Sequence, residues 1–208
     1  MSDRAPETLE LTLLRHGRSR ADDEEVHEGR YDSPLTAVGI EQTERLAAYW
    51  THNPPGFERI VCSSLIRARR TAEIVGEALG LPVTPDDAWR EFDNGPVAGL
   101  PFAEARERYP APAFRHRFAP YTADGGESDA SFERRISRAL EVLFVRPENK
   151  VLVVAHGGCL NVALRNLLRA PRETGFAFGD TSFAEVTLSR QSEGAWLLSL
   201  NARPHLTL

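Results

Sequence analysis

Two histidines and two arginines stand where apolar runs stop. Leu9 to Leu14 ends abruptly at Arg15-His16-Gly17, and Val151 to Ala155 ends at His156-Gly157-Gly158. Between them, Arg59 to Cys62 runs into Ser63-Ser64, with Arg67 one turn later. In an open α/β sheet, ligands bind outside the carboxyl ends of the strands. If these strands are parallel neighbours, the four side chains converge on one spot. Guanidinium forks match phosphoryl oxygens and follow the charge that spreads over them. A neutral imidazole can attack phosphorus and form a phosphohistidine. A second imidazole can donate a hydrogen bond to the transferring group. The departing alkoxide then needs a proton from a carboxylic acid. Glycines let backbone N–H groups approach an anion, and helix starts after Ser64 and Gly158 add partial positive charge. Gly17, Ser19 and Gly157 join Arg15 and Arg67 as candidate phosphate contacts.

Each residue alone has a plainer reading. A single histidine after a strand is usually a loop or core residue, and Arg67 alone would be a helix-surface arginine. Two histidines at equivalent strand ends, each beside glycine, favour chemistry. A zinc site from His16, His156 and a carboxylate fits less well, because two arginines would face the cation. No metal and no cofactor is expected.

The elements that must position these groups follow from periodicity. Thr36 to Trp50 carries apolar residues at helical spacing, with Thr36 as cap and Asn53-Pro54-Pro55-Gly56 as stop. Leu65 to Leu79 reads as a helix closed by Gly80 and Pro82. Glu127 to Val145 and Cys159 to Leu168 read as further helices. Ala184 to Leu188 and Ala195 to Leu200 alternate like a closing hairpin. Strands alternating with helices predict an α/β fold, a three-layer α/β/α sandwich with a mostly parallel sheet. The stretch 92–126 breaks this rhythm. It is rich in Pro, Gly, aromatics and Arg, with one short helix near Pro101 to Arg108. It reads as an insertion over one end of the sheet, within a single domain spanning 1–208.

The length of 208 residues suits one domain with a small cap, large enough to fold without a staple. A formal net charge of −5 argues against general nucleic-acid binding. Cys62 and Cys159 lie in or beside apolar runs and outside any recurring metal-ligand spacing, so buried thiols are expected. MSDRAPETLE has no apolar signal core, and no run approaches the roughly 18–20 apolar residues that span a bilayer. These features predict a cytoplasmic protein without nucleic-acid or membrane partners. Oligomeric state is not readable.

The run LLRHGRSRAD resembles the defining motif of the histidine phosphatase (phosphoglycerate mutase-like) superfamily. The resemblance continues through YDSPLTAVGIEQ, CSSLIRARRTAE, EFDNGPVAGL, GGES, VVAHGG and NARPHL, and covers nearly the whole chain in order. It implies His16 as nucleophile flanked by Arg15, Arg67 as phosphate clamp and His156 as second histidine. Glu91 matches the acid after the fourth strand, which protonates the leaving group and then activates water. Asp93 and Glu127 are the next acids in reach. The chain also departs from the family pattern. Asp22 stands where Asn is usual. A carboxylate there repels phosphate unless it turns away or Arg18, Arg20 or Arg30 neutralises it. Gly95-Pro96-Val97-Ala98-Gly99 replaces a Gly-x-Trp-Glu-Gly pattern, and Asp180 stands where Asn is common.

These readings predict a phosphomonoester hydrolase acting on a small phosphorylated metabolite. A phosphoglycerate mutase-type transferase is the alternative, since it uses the same phosphohistidine. It must shield that intermediate from water, and the short chain leans towards hydrolysis. A non-catalytic phospholigand-binding module would need neither nucleophile nor acid.

Overall fold

One six-stranded sheet organises the chain in the computed structural model, which describes residues 7–207. Its strands are β1 (Thr8–Arg15), β2 (Arg59–Ser63), β3 (Val83–Asp86), β4 (Lys150–Ala155), β5 (Phe183–Ser189) and β6 (Ala195–Ala202). The helices are α1 (Arg20–Glu24), α2 (Ala37–His52), α3 (Ile66–Leu79), α4 (Phe102–Arg108), α5 (Asp129–Phe144) and α6 (Gly157–Leu168). The first six residues of the N-terminal stretch, on which the absence of a signal core was read, lie outside the described residues, as does Leu208.

The spatial order is β3-β2-β4-β1-β5-β6. β1, β4, β2 and β3 run parallel, while β5 pairs antiparallel with both β1 and β6. The central strands are apolar on both faces, which is why they read as continuous runs rather than alternations. Leu9, Leu11, Leu13, Val61, Val151 and Val153 pack against Ile136, Leu140, Leu160 and Leu164 of α5 and α6. Leu14, Ile60, Cys62, Leu152 and Val154 pack against Leu46, Ala68, Ala72 and Val75 of α2 and α3. Two helical layers therefore enclose the sheet, as expected of the three-layer sandwich. Each fully buried aliphatic side chain here contributes about 1.5–3 kcal/mol.

Helix ends follow local chemistry. Thr36 caps α2 by accepting the Gly39 N–H at 3.0 Å. Gly80 closes α3 in the left-handed region at φ 67°, where any other residue is strained. α5 starts two residues later than expected, because Ser128 Oγ takes the Ser131 N–H at 3.1 Å. α6 starts two residues earlier, with His156 itself as N-cap.

Two elements were not anticipated. β3 carries Pro85, which an edge strand tolerates but which disguises it in sequence. α1 has five residues and begins where Asp22 Oδ2 accepts the Ser19 N–H at 2.8 Å.

Segment 92–126 is tied to α5. Arg115 bonds Asp129 at 2.7 Å and lies over the Tyr121 ring, 5.1 Å from its centroid. Arg117 bonds Glu133, and the Phe92 ring meets those of Tyr121 and Phe132 edge-on at 5.4 and 5.2 Å. The segment and His27 bound a cavity of about 790 Å³. Both cysteines are buried and unpaired. Among the described residues no helix is long and apolar enough to cross a membrane.

Candidate active site

The three strand ends meet. β4 lies between β1 and β2, with Arg15 opposite Ala155 and Cys62 opposite Val154. The next residues along, His16, His156 and Ser63, therefore emerge side by side. The His16 backbone is held on both sides: its N–H donates to Ala155 O at 3.1 Å and its carbonyl accepts from Thr181 N at 3.2 Å.

The His16 ring is almost fully buried. Its Nδ1 lies 2.8 Å from Gly17 O, so that nitrogen carries the proton, since a carbonyl only accepts. Nε2 is then a bare lone pair, and it accepts from Arg67 Nε at 3.3 Å. Burial, followed by the Arg67 and Arg15 charges, holds the His16 pKa well below the usual histidine value. The ring is neutral at pH 7, and Nε2 is its unprotonated nitrogen.

His156 meets His16 edge-on, with ring centroids 5.0 Å apart. Its Nε2 lies 2.8 Å from Ser63 Oγ. Ser63 Oγ also accepts the Leu65 N–H at 3.2 Å, which leaves it one lone pair and its own proton to offer Nε2. The His156 Nδ1 is buried and has no hydrogen-bond partner among the described residues. Burial, Arg67 and His16 hold His156 neutral as well.

Arg67 is fully buried in the first turn of α3. Its Nη1 donates to Tyr31 O at 2.9 Å and its Nη2 to Gly29 O at 2.8 Å, so the fork is fixed by the loop before α2. Arg15 donates from Nη1 to Phe178 O at 2.7 Å, while its buried Nε has no partner. Asp180 and Asp22 approach Arg15 Nη2 at 3.5 and 3.7 Å. Burial raises the Asp180 pKa against the opposing pull of Arg15.

Glu91 follows β3, the third strand in chain order and not the fourth. Its Oε2 accepts the Gly158 N–H at 2.9 Å and its Oε1 the Phe92 N–H at 2.8 Å. It lies near enough to Arg67 to raise that group's pKa against burial. The reserve acids are engaged elsewhere. Asp93 pairs with Arg30 at 3.0 Å and Glu127 with Arg135 at 2.7 Å.

The smaller candidates divide. Gly17 gives its N–H to Thr71 Oγ1 at 3.1 Å, and a Cβ there would stand 2.5 Å from Gly39 O. Its glycine identity serves the seat of β1 on α2 rather than an anion. Gly157 opens α6, and a side chain there would meet nothing within 4 Å. Ser19 is buried with its hydroxyl on Asp22 and Glu28. The arginines named as neutralisers of Asp22 are used otherwise: Arg18 pairs with Asp23, Arg20 with Glu24 and Arg30 with Asp93. Arg15 is the cation beside Asp22.

Sequence reasoning missed Glu28 and Asn94. Glu28 sits 3.0 Å from Arg67 Nε and 3.8 Å from His16 Nε2. Asn94 is buried against Gly29, where a Cβ would come within 1.9 Å of its Oδ1. Glu28 directly precedes Gly29-Arg30, in the gap between two recognised blocks, and an acid beside glycine was the available signal. Among the described residues no group of three or more His, Cys, Asp or Glu side chains is arranged to hold a metal ion.

Two neutral imidazoles, two arginines and a pinned carboxylate at the carboxyl end of a parallel sheet can hold and transfer a phosphoryl group. Residues 11–203 match the family model of the histidine phosphatase superfamily, branch 1, and the chain belongs to that superfamily. It is an enzyme of the histidine phosphatase class. The uncharacterized phosphatase PhoE of Bacillus subtilis is 30% identical over 181 residues, covering 84% of this chain and 89% of that protein. A probable phosphoglycerate mutase, GpmB of Serratia proteamaculans, is 32% identical over 198 residues, 92% of this chain and 89% of that one. The alpha-ribazole phosphatase of Shigella flexneri superposes with a TM-score of 0.83 at 25% identity, covering 94% and 97% of the two chains.

Proposed function

We propose that this chain is a cytoplasmic phosphomonoester hydrolase that acts on a small phosphorylated metabolite through a phosphohistidine on His16 Nε2. The observation that carries this reading is the fixed tautomer. Gly17 O holds the proton on Nδ1, so Nε2 faces Arg67 as a free nucleophile. Arg67 and Arg15 neutralise the phosphoryl oxygens, and the unpartnered Arg15 Nε and His156 Nδ1 supply donors for them. Nε2 forms a bond to phosphorus as the ester oxygen leaves. Glu91 gives that oxygen a proton, then takes one from the water that cleaves the N–P bond.

Segment 92–126 is the cap in this reading, and its cavity takes the alcohol portion of the substrate. His27 lines that cavity and adjoins Glu28, whose carboxylate reaches the His16 ring. Phe102, Tyr109, Phe114, Tyr121 and Arg106 suit a leaving group with a ring or apolar part and further negative charge. No nucleic-acid or membrane partner is part of this reading. The test is phosphate release from an aryl phosphate with acid-labile labelling of the protein. Replacing His16 by Ala should abolish both, with a loss of ~10³-fold or more. Substantial turnover by a folded variant would overturn the mechanism. The likeness to GpmB favours mutase chemistry as the second reading, and isomerisation of a phosphoglycerate without phosphate release would select it.

A further inference from the structure

A second carboxylate stands inside the phosphoryl pocket, and nothing in the mechanism above uses it. Glu28 Oε1 lies 2.5 Å from Ser19 Oγ and 3.0 Å from Arg67 Nε, while Oε2 lies 3.8 Å from His16 Nε2. These are the donors and the nucleophile that a phosphoryl group must reach. A fully ionised Glu28 would set its charge directly against that group.

The hydrogens around it can be counted. Ser19 Oγ contacts two carboxyl groups, Glu28 at 2.5 Å and Asp22 at 2.9 Å, and a hydroxyl has one proton to donate. Asp22 Oδ2 also accepts the Ser19 N–H at 2.8 Å. The hydroxyl proton can close only one of these two contacts, so the two carboxyl groups and Ser19 together hold room for one further proton. On the opposite side His16, whose proton lies on Nδ1, gives Glu28 Oε2 no hydrogen, and Nε2 and Oε2 stand 3.8 Å apart. The groups facing Glu28 are Arg67 from α3, Arg15 and His16 at the end of β1, and Ser19 and Asp22 at the start of α1.

We propose that Glu28 is a substrate-binding residue that couples the anion to one proton, so that the pocket takes up a phosphoryl dianion only with Glu28 in its neutral acid form, as a donor to a phosphoryl oxygen. This rests on the phosphoryl-transfer reading of the His16 site. Burial, opposed by Arg67 and the Ser19 hydroxyl and aided by Asp22, raises the Glu28 pKa in the direction the coupling requires. No covalent bond changes in this step. One proton enters from solvent with the anion and leaves with the product.

The consequence is a ceiling on anion affinity at alkaline pH, set by one residue. Sulfate is the suitable probe, because it stays a dianion across the range while inorganic phosphate titrates. Calorimetric binding of sulfate should be run from about pH 5 to about pH 8.5, in buffers of differing protonation enthalpy. The wild-type chain should take up close to one proton with sulfate at the alkaline end, and Kd should weaken by about tenfold per pH unit there. Glu28→Gln keeps an acceptor for Arg67 and Ser19 but cannot ionise. Its Kd should be flat with pH, tighter than wild type at the alkaline end, and free of proton uptake. Glu28→Ala should also lose the uptake, and Asp180→Asn should keep it.

The proposal is overturned if Glu28→Gln keeps the wild-type slope, if the wild-type chain takes up no proton, or if Asp180→Asn is the variant that flattens the profile. Aryl phosphate turnover, measured separately, tests the underlying reading. Turnover with a proton-independent sulfate site removes only the role of Glu28. Proton-linked sulfate binding without turnover or phosphoenzyme removes the hydrolase reading. Absence of sulfate binding in both proteins removes both.

Discussion

Glu91 and Gly158 fit together as lock and gap: the Gly158 N–H donates to Glu91 Oε2 at 2.9 Å, and a Cβ on residue 158 would stand 2.4 Å from Glu91 Oε1. The glycine is therefore required by the carboxylate and not by the helix, whose second position accepts alanine readily. Gly158→Ala should leave the melting temperature within a few degrees of wild type and displace the Glu91 side chain, the flexible partner. Turnover of alkyl phosphates should fall by about 10²-fold, and that of aryl phosphates with good leaving groups much less. Glu91→Gln should give the same split. Equal losses on both substrates would make Glu91 structural.

Ser63 is expected to matter through His156. Removing its hydroxyl frees Nε2 and releases the orientation of the ring. Ser63→Ala should lower kcat by about 10–100-fold with little change in KM, and Ser63→Thr should restore part of it. An unchanged kcat would place the His156 donor elsewhere.

The cap arginines should behave unequally. Arg115 and Arg117 already pair with Asp129 and Glu133, whereas Arg106 lines the cavity and its side chain makes no ion pair or hydrogen bond among the described residues. Arg106→Ala should raise KM for an anionic natural substrate and spare a small aryl phosphate. Arg115→Ala should instead lower stability by about 0.5–2 kcal/mol, through the lost ion pair and ring stacking. If Arg106→Ala affects both substrates alike, the cavity does not hold the leaving group.

Stability should fall in acid because three histidines fold in the neutral form. His205 is pulled down to about 4, mainly by burial, with the Arg203 and Arg45 charges adding to it. His16 and His156 are lowered for the reasons given above. Between the folded and unfolded values, the unfolded chain binds protons that the folded chain refuses. The stability is thus complete above about pH 6.5 and lost as pH falls from there towards about 4. Glu28 and Asp180, raised by burial, act in the opposite direction over part of this range. His205→Gln isolates one histidine: urea midpoints should drop less steeply with acid than in wild type, by on the order of 1–3 kcal/mol at the acid end. Parallel curves for the two proteins would remove His205 from the account.

What the sequence discloses depends on how strongly burial writes itself into residue order. β1 and β4 are buried on both faces, so they read as unbroken apolar runs, and the residues just past them stood out at once. Arg15, His16 and His156 are legible for that reason, and Arg67 by its place one turn after Ser63-Ser64. β3 is not, because Pro85 and a half-exposed edge leave no pattern. Glu28 was invisible for a different reason. It reaches the pocket from an irregular loop whose course is set by Arg67 gripping Tyr31 O and Gly29 O, contacts made across 36 and 38 positions of chain. Ser63 reads in sequence only as a helix start, and the adjacency of β2 and β4 is what turns it towards His156.

That grip has a consequence for how this enzyme could change its diet. Arg67 has both terminal nitrogens tied to backbone before any ligand arrives, so its fork cannot be retuned without remaking the loop that holds it. In the proposed function the wall around the leaving group comes largely from segment 92–126, which is held by side chains of α5 and by backbone hydrogen bonds to residues 25–27. Substitutions at Phe102, Arg106 or Phe114 can alter which alcohol is accepted while the phosphoryl seat stays as it is. The molecule thus divides into a part where mutation is punished and a part where it is exploratory. New substrates should be reachable by single steps in the second part without passing through an inactive intermediate.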